Sequence, residues 1–177
     1  MKNLKYLLFI ITGFLISCNN NEEVEYPQYY PIEYEFEPEY VVFNRQDLTK
    51  EEFQAMRELS LVIYSEEDFP DEDLMGLQQL KDSNIDFNRY TLLLNYEKLQ
   101  GIVVAHRYLW SKDIKENQFN FNMTFFYDEN REMENPDDVM YTYYRTAVLV
   151  NKIPKDSKVE FWYSVDSVLL TEGNEPS

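Results

Sequence analysis

The stretch Phe119-Asn120-Phe121-Asn122-Met123-Thr124-Phe125 alternates apolar and polar residues almost without interruption. A period of two is the signature of a β-strand with one buried and one solvated face, because successive side chains point to opposite sides. Three phenylalanines and Met123 would share the buried face. The stretch therefore predicts a strand in a sheet that covers a core.

Apolar runs on both sides of this stretch predict the other strands. Residues 97–101 separate the runs at 90–96 and 102–110 and predict a hairpin. Residues 153–158 connect the runs at 141–150 and 159–170. Pro154 suits position i+1 of a type I turn in that second connection. The predicted strands cover residues 90–96, 102–110, 141–150 and 159–170.

Two short helices are predicted ahead of these strands. Residues 49–52 form a capping box that would start a helix ending near Leu59, and a leucine stripe predicts a second helix near residues 71–81. Helices followed by consecutive strands with short connections are typical of the α+β class. We expect an antiparallel meander sheet of about five to seven strands, with one or two short helices on one face.

The N-terminal residues predict an export signal and a stalk. Lys2 and Lys5 precede an apolar run that is shorter than the roughly 20 residues needed to span a bilayer, so residues 1–17 indicate a signal peptide. Residues 18–39 are acidic and contain three prolines, a composition that favours an extended stalk. The alternation of residues 32–40 leaves an edge strand open as an alternative. A single domain is expected over residues 40–171, followed by a frayed tail over residues 172–177.

Leu15-Ile16-Ser17-Cys18 resembles the lipobox of bacterial lipoproteins. The resemblance implies that the Cys18 thiol carries a diacylglyceryl group, that residues 1–17 are removed, and that the new amino terminus is acylated. Cys18 is the only cysteine, so its lipidation would leave no thiol for a disulfide, a zinc site or a nucleophile. Glu22 and Glu23 resemble the export signal of Bacteroidetes lipoproteins. The expected location is therefore the cell envelope, at the outer membrane and on its outer face.

Further along the chain lie four segments at residues 62–69, 85–94, 147–155 and 159–161. Together they resemble the PrcB-type protease-complex domain, which occurs in small bacterial lipoproteins of unknown role. The similarity covers roughly residues 60–165. That family places Thr-Gly-Gly-Tyr after its central strand, whereas this chain has Leu99-Gln100-Gly101-Ile102, so no site residues carry over.

Charge and motif content exclude several function classes. The chain has 16 basic and 33 acidic residues, a net charge of −17 that argues against a nucleic-acid partner. His106 is the only histidine, and no glycine-rich phosphate loop or GxSxG motif is present, so we expect no cofactor. His106 is expected to be a hydrogen-bonded residue of the sheet. The acidic run at residues 66–73 lacks the spacing of an EF-hand.

Aromatic residues make up 16% of the chain, and a sheet cannot bury the rings on both of its faces everywhere. Trp110, Tyr144 and Trp162 are candidate ligand contacts, because exposed aromatic rings commonly hold sugars or peptides; the alternative is that they fill the core. Trp162 shares its side of the strand with Glu160 and Ser164. The leading hypothesis is a non-enzymatic binding module for a protein or glycan. The alternatives are a carboxylate-dependent glycan hydrolase and a structural or protease-associated subunit.

Overall fold

The computed structural model describes residues 27–43, 50–128 and 141–168. These residues form an α+β fold dominated by strands, as predicted, with two short helices and one turn of 3₁₀ helix at Glu66–Asp68. The helices are α1 (Lys50–Ala55) and α2 (Leu77–Lys81). The strands are β1 (Gln28–Tyr30), β2 (Tyr34–Glu35), β3 (Glu39–Phe43), β4 (Leu59–Ile63), β5 (Tyr90–Gln100), β6 (Val103–Asp113), β7 (Gln118–Asp128), β8 (Tyr141–Asn151) and β9 (Lys158–Val168).

The strands form two sheets. The four-stranded sheet has the order β1-β6-β7-β9, and the five-stranded sheet has the order β2-β8-β5-β4, with β3 also pairing with β8. Among the described strands, all pairs are antiparallel except β7 and β9, which are parallel. The predicted single meander is therefore divided between two sheets, and consecutive strands often lie in different ones.

The predicted hairpin at residues 97–101 is wrong. β5 pairs with β4 and β8, whereas β6 pairs with β1 and β7, so the chain crosses from one sheet to the other between these strands. Gly101 makes this crossing with φ +114, a conformation that side-chain-bearing residues rarely adopt, and a Cβ there would lie 3.0 Å from the ring of Tyr127. Strand periodicity is a local signal and carries no information about the hydrogen-bonding partner.

The five-stranded sheet is covered on both faces. One face packs against the four-stranded sheet, and the other packs against the helix side of the molecule. Burial is therefore nearly continuous along its central strands: every residue from Thr142 to Val150 is buried. The core between the sheets includes Leu93, Leu99, Val148 and Val150 with Trp110, Phe119, Phe121, Met123 and Phe125. The core on the helix side includes Ile63, Leu92, Leu94, Ala147 and Leu149 with Leu77 and Leu80 of α2.

Arg145 of β8 fixes the helix side to the five-stranded sheet. Its side chain is 1% exposed, donates to the carbonyl oxygens of Gly76 at 2.7 Å and Glu37 at 3.2 Å, and lies 3.8 Å from a carboxylate oxygen of Glu39. A buried guanidinium is tolerated only with such partners, because its desolvation is costly. The cation thus ties the segment before β3 and the turn before α2 to the centre of the sheet.

The second half of the predicted stalk belongs to the domain. β1 pairs with β6, placing Tyr30 opposite Trp110, and β2 pairs with β8, placing Tyr34 opposite Leu149. The predicted boundary at residue 39 is therefore too late, because residues 28–39 join both sheets. The remaining predictions for the N-terminus, including Cys18, fall on residues outside those described. The same holds for the capping box at Thr49 and for the tail.

Both helices are shorter than predicted. α1 ends at Ala55 and is soon followed by β4, and α2 begins only after Gly76, which has φ +65. Each contributes apolar side chains to the helix side of the five-stranded sheet: Phe53 contacts Tyr141 with ring centroids 4.3 Å apart, and Leu77 and Leu80 are buried. Neither of the described helices is long and apolar enough to cross a membrane.

Candidate functional site

The three predicted ligand-contact aromatics lie in different environments. Trp110 and Tyr144 are each 2% exposed and belong to the core between the sheets, where Trp110 stacks on Phe119 with ring centroids 5.1 Å apart. These two rings lie in the interior and offer no surface to a ligand, which corrects the prediction for them. Trp162 is 56% exposed. It remains the candidate around which a site is built.

Trp162 lies on the solvent-facing side of the four-stranded sheet, called the outer face below. Residues that oppose each other in neighbouring strands share a face, so the strand register assembles rows of side chains around the indole. The row of Trp162 contains Asn122 and Leu109. The two flanking rows contain Ser164, Thr124 and Arg107 on one side, and Glu160, Asn120, Ser111 and Tyr29 on the other.

Hydrogen bonds hold these side chains in place. The Trp162 indole N–H donates to Glu160 Oε2 at 3.2 Å, and Ser164 Oγ donates to Thr124 Oγ1 at 3.2 Å. A hydrogen bond from Lys158 holds the pKa of Glu160 below its ordinary value, so this acceptor is charged at neutral pH. The indole is therefore oriented by a residue of its own strand, with its ring left accessible.

The outer face combines apolar groups with amide and hydroxyl groups, and it also carries the charged side chains of Arg107 and Glu160. Tyr29 is 65% exposed and Leu109 is 45% exposed. Leu109 and Trp162 are separated by one strand, which at about 4.8 Å per strand puts their backbones about 10 Å apart. Amide side chains donate and accept hydrogen bonds, as hydroxyls do. This surface can stack against a flat apolar ring and hydrogen-bond the hydroxyl groups around it.

His106 belongs to a different cluster, between the two sheets. Its Nε2 lies 2.9 Å from Glu35 Oε1, its Nδ1 lies 3.1 Å from the Tyr144 hydroxyl, and its ring stacks on Tyr108 at 4.7 Å. The Tyr108 hydroxyl lies 3.3 Å from Thr146 Oγ1. His106 is thus the hydrogen-bonded sheet residue that was expected. Its partner Glu35 lies 71 positions away in the chain, beyond the reach of local patterns.

This histidine cluster acts as a structural tie. Burial raises the pKa of Tyr144 to about 12, which favours the neutral phenol over a nucleophilic phenolate. The Tyr144 side chain is also closed off from solvent. The hydrogen bonds connect β2 and β8 of one sheet to β6 of the other, so the cluster holds the N-terminal segment onto the sandwich.

An open groove of about 630 Å³ lies beside the 3₁₀ turn, with Tyr64, Glu66, Asp86 and Lys152 among its lining residues. The Lys152 amine donates hydrogen bonds to the carbonyl oxygens of Tyr64 at 2.8 Å and Phe87 at 2.7 Å, so this cation already binds two backbone groups. Within residues 27–43, 50–128 and 141–168, no three His, Cys, Asp or Glu side chains are grouped as metal ligands. The groove therefore offers weaker support for a site than the outer face.

Comparison with known proteins adds no family to this picture. No protein-family model, no curated protein and no solved structure matches the chain. The resemblances to bacterial lipoproteins and to the PrcB-type domain stay predictions. The outer face is therefore interpreted from its own chemistry.

Proposed function

We propose that the protein is a lipoprotein of the cell envelope, anchored through Cys18, whose outer face binds a glycan without cleaving it. The observation that carries the binding proposal is the exposed indole of Trp162, oriented by Glu160 and surrounded by amide and hydroxyl side chains. The anchor proposal rests on the lipobox resemblance at Leu15-Ile16-Ser17-Cys18.

The composition of the outer face favours a glycan over a protein. In a chain with a net charge of −17, β7 presents three uncharged polar side chains on this face, Asn120, Asn122 and Thr124, beside the Glu160 carboxylate that holds the indole. A sugar ring has an apolar C–H side and a rim of hydroxyls, which suits a flat indole beside amides. The hot spots of protein partners lie instead in well-packed pockets.

The binding proposal is tested by titrating the purified full-length protein with a panel of soluble oligosaccharides in a calorimeter. Trp162→Ala should weaken binding about tenfold, because the variant loses the indole surface on which the sugar ring would stack, and tenfold in affinity corresponds to about 1.4 kcal/mol. Tyr34→Ala is the matched control: Tyr34 is 54% exposed but lies on β2 of the five-stranded sheet, and its removal should leave the affinity unchanged.

Three outcomes would contradict this function. They are the absence of binding across the panel, equal affinities for wild type and Trp162→Ala, and recovery of cleaved oligosaccharide after incubation. Cleavage that a single acid-to-amide change abolishes would favour the hydrolase alternative. Binding of peptides in place of sugars, with the same dependence on Trp162, would favour a protein ligand.

The anchor is tested separately in cells by fractionation. Cys18→Ala removes the only sulfur that could be lipidated, so the protein should leave the membrane fraction or remain as an uncleaved precursor. Stable anchoring needs two or more acyl chains, which the modified cysteine would supply. Processing and membrane association identical to the wild type would refute the anchor without affecting the binding proposal.

A further inference from the structure

β9 is the longest edge strand in the described part of the chain. It has 11 residues and pairs there with β7 alone, whereas the opposite edge of the same sheet, β1, has three residues and the edge strand β4 has five. Edge strands are commonly protected by shortness, charged side chains, proline or a bulge. β9 contains no proline and pairs with β7 without any shift of register. Among the described residues no strand pairs with its outer edge, which is therefore a regular template for another strand.

Two inward-facing residues of β9 are less covered than their neighbours. Tyr163 opposes Met123 of β7 and Val165 opposes Phe125, so the four side chains share one face of the sheet. Met123 and Phe125 are buried, at 1% and 0% exposure, whereas Tyr163 is 56% exposed and Val165 is 51% exposed. Apolar surface is therefore available along the same strand whose second edge has no strand partner in the described part of the chain.

The sequence of β9 is self-complementary when it is read against itself in the antiparallel direction. With Trp162 opposite Trp162 of a second copy, Lys158 opposes Asp166, Val159 opposes Val165, and Phe161 opposes Tyr163. Opposite charges therefore meet at both ends, and apolar residues meet between them. A shift centred on Tyr163 would place Glu160 opposite Asp166, and a shift centred on Phe161 would lose both ion pairs.

We infer that β9 pairs antiparallel with β9 of a second copy, so that two four-stranded sheets join into one sheet of eight strands. The contact is isologous, because the same strand contributes both sides about a two-fold axis at Trp162. This antiparallel pairing keeps the inward faces of both copies on the same side of the joined sheet. The two outer faces then form one surface with both indoles at its centre.

The charges are compatible with this pairing. Lys158 already contacts Glu160 in its own strand, but an ammonium group has three donors and a carboxylate accepts several hydrogen bonds. The ion pair between copies thus adds to the contacts that Lys158 and Asp166 make within one chain. Each chain carries a net charge of −17, and this repulsion is screened beyond about 8 Å at physiological salt. The inference rests on the strand edge and does not depend on the proposed glycan.

The pairing is tested in the full-length protein by exchanging the charges at positions 158 and 166. The mass of each species is measured by sedimentation at about 0.15 M salt, where charges more than about 8 Å apart are largely screened. Wild type should sediment as a dimer. Lys158→Glu and Asp166→Lys each place like charges opposite one another, so each variant alone should be monomeric. An equal mixture of the two variants restores both opposite-charge pairs and should form mixed dimers, as should the double variant. Circular dichroism confirms that every variant is folded.

A disulfide test fixes the register. On a Cys18→Ser background, Trp162→Cys should form crosslinked dimers, because directly opposed residues have Cα atoms about 5 Å apart, within the range that a disulfide spans. Ser164→Cys is the matched control, since Ser164 would oppose Glu160 and lie away from its own equivalent. The pairing is overturned if wild type is monomeric, if the mixture of charge variants stays monomeric, or if Ser164→Cys crosslinks as well as Trp162→Cys. None of these results alters the oligosaccharide titration, which is measured per chain.

Discussion

The two sheets differ in how many of their faces are covered. In the five-stranded sheet, β8 buries Thr142 to Val150 without a break, because the other sheet lies on one side and the helices on the other. In the four-stranded sheet, β7 buries Phe119, Phe121, Met123 and Phe125, and the residues between them are only partly buried. The doubly covered sheet contributes side chains to both cores, and the singly covered sheet keeps a face that can bind a partner.

The two tryptophans give the sharpest test of this difference, since both lie in the four-stranded sheet, on opposite faces. Trp110→Ala should lower the free energy of unfolding by about 4 kcal/mol, because it opens a cavity against Phe119 and Phe121. Trp162→Ala should lower it by less than about 1 kcal/mol, since the residue is more than half exposed. Urea denaturation followed by far-ultraviolet circular dichroism measures both values. Similar losses for the two variants would mean that the outer face is covered.

The sequence predicted which face of a strand is buried better than it predicted which strands pair with each other. The alternation of Phe119 to Phe125 identified the buried side of β7 correctly, and the polar neighbours Glu160 and Ser164 correctly placed Trp162 on their side of β9. Alternation is set by neighbouring residues and is visible in any short window. The crossing at Gly101 depends instead on which strands pair at long range, and an apolar run predicts a strand in either sheet.

The candidate site was predicted only in part for the same reason. Trp110 and Trp162 both lie on predicted strands, but whether a face is covered depends on the packing of the second sheet. The rows that place Asn122 and Leu109 beside Trp162 come from pairing among β6, β7 and β9. The tie between Glu35 and His106 likewise joins residues distant in sequence. Such juxtapositions require the tertiary structure.

Glu97 and Glu160 allow the two sheets to be compared by the pH dependence of their contributions to stability. Glu97 of β5 lies between the sheets and is 8% exposed, with a hydrogen bond of 3.2 Å from Asn95 Nδ2. Burial raises the pKa of Glu97 above its ordinary value of 4.5, despite this hydrogen bond, and Glu58 adds to the rise. Glu160 on the outer face has a lowered pKa because of Lys158. The two carboxylates therefore contribute to stability with opposite signs.

The sign for each follows from linkage between protonation and folding. A raised pKa in the folded state means that the folded protein binds the proton more tightly, so ionisation of Glu97 costs stability as the pH rises through its folded-state pKa. Glu97→Gln should therefore raise the melting temperature at pH 7, by less than Trp110→Ala lowers it. This gain should shrink as the pH falls through the folded-state pKa and should be lost below about 4.5.

Glu160→Gln is the control with the opposite expectation. Its lowered pKa stabilises the folded state above the ordinary glutamate pKa, so the variant should melt slightly below wild type at pH 7, and the deficit should vanish as the pH falls through the folded-state pKa. Thermal denaturation of the two variants and the wild type between pH 3 and pH 8 measures both trends. The amide oxygen introduced by Glu97→Gln still accepts the hydrogen bond from Asn95, so that variant removes the charge and keeps the contact. A change of the same sign for both variants would therefore show that burial does not distinguish the two sheets at these positions.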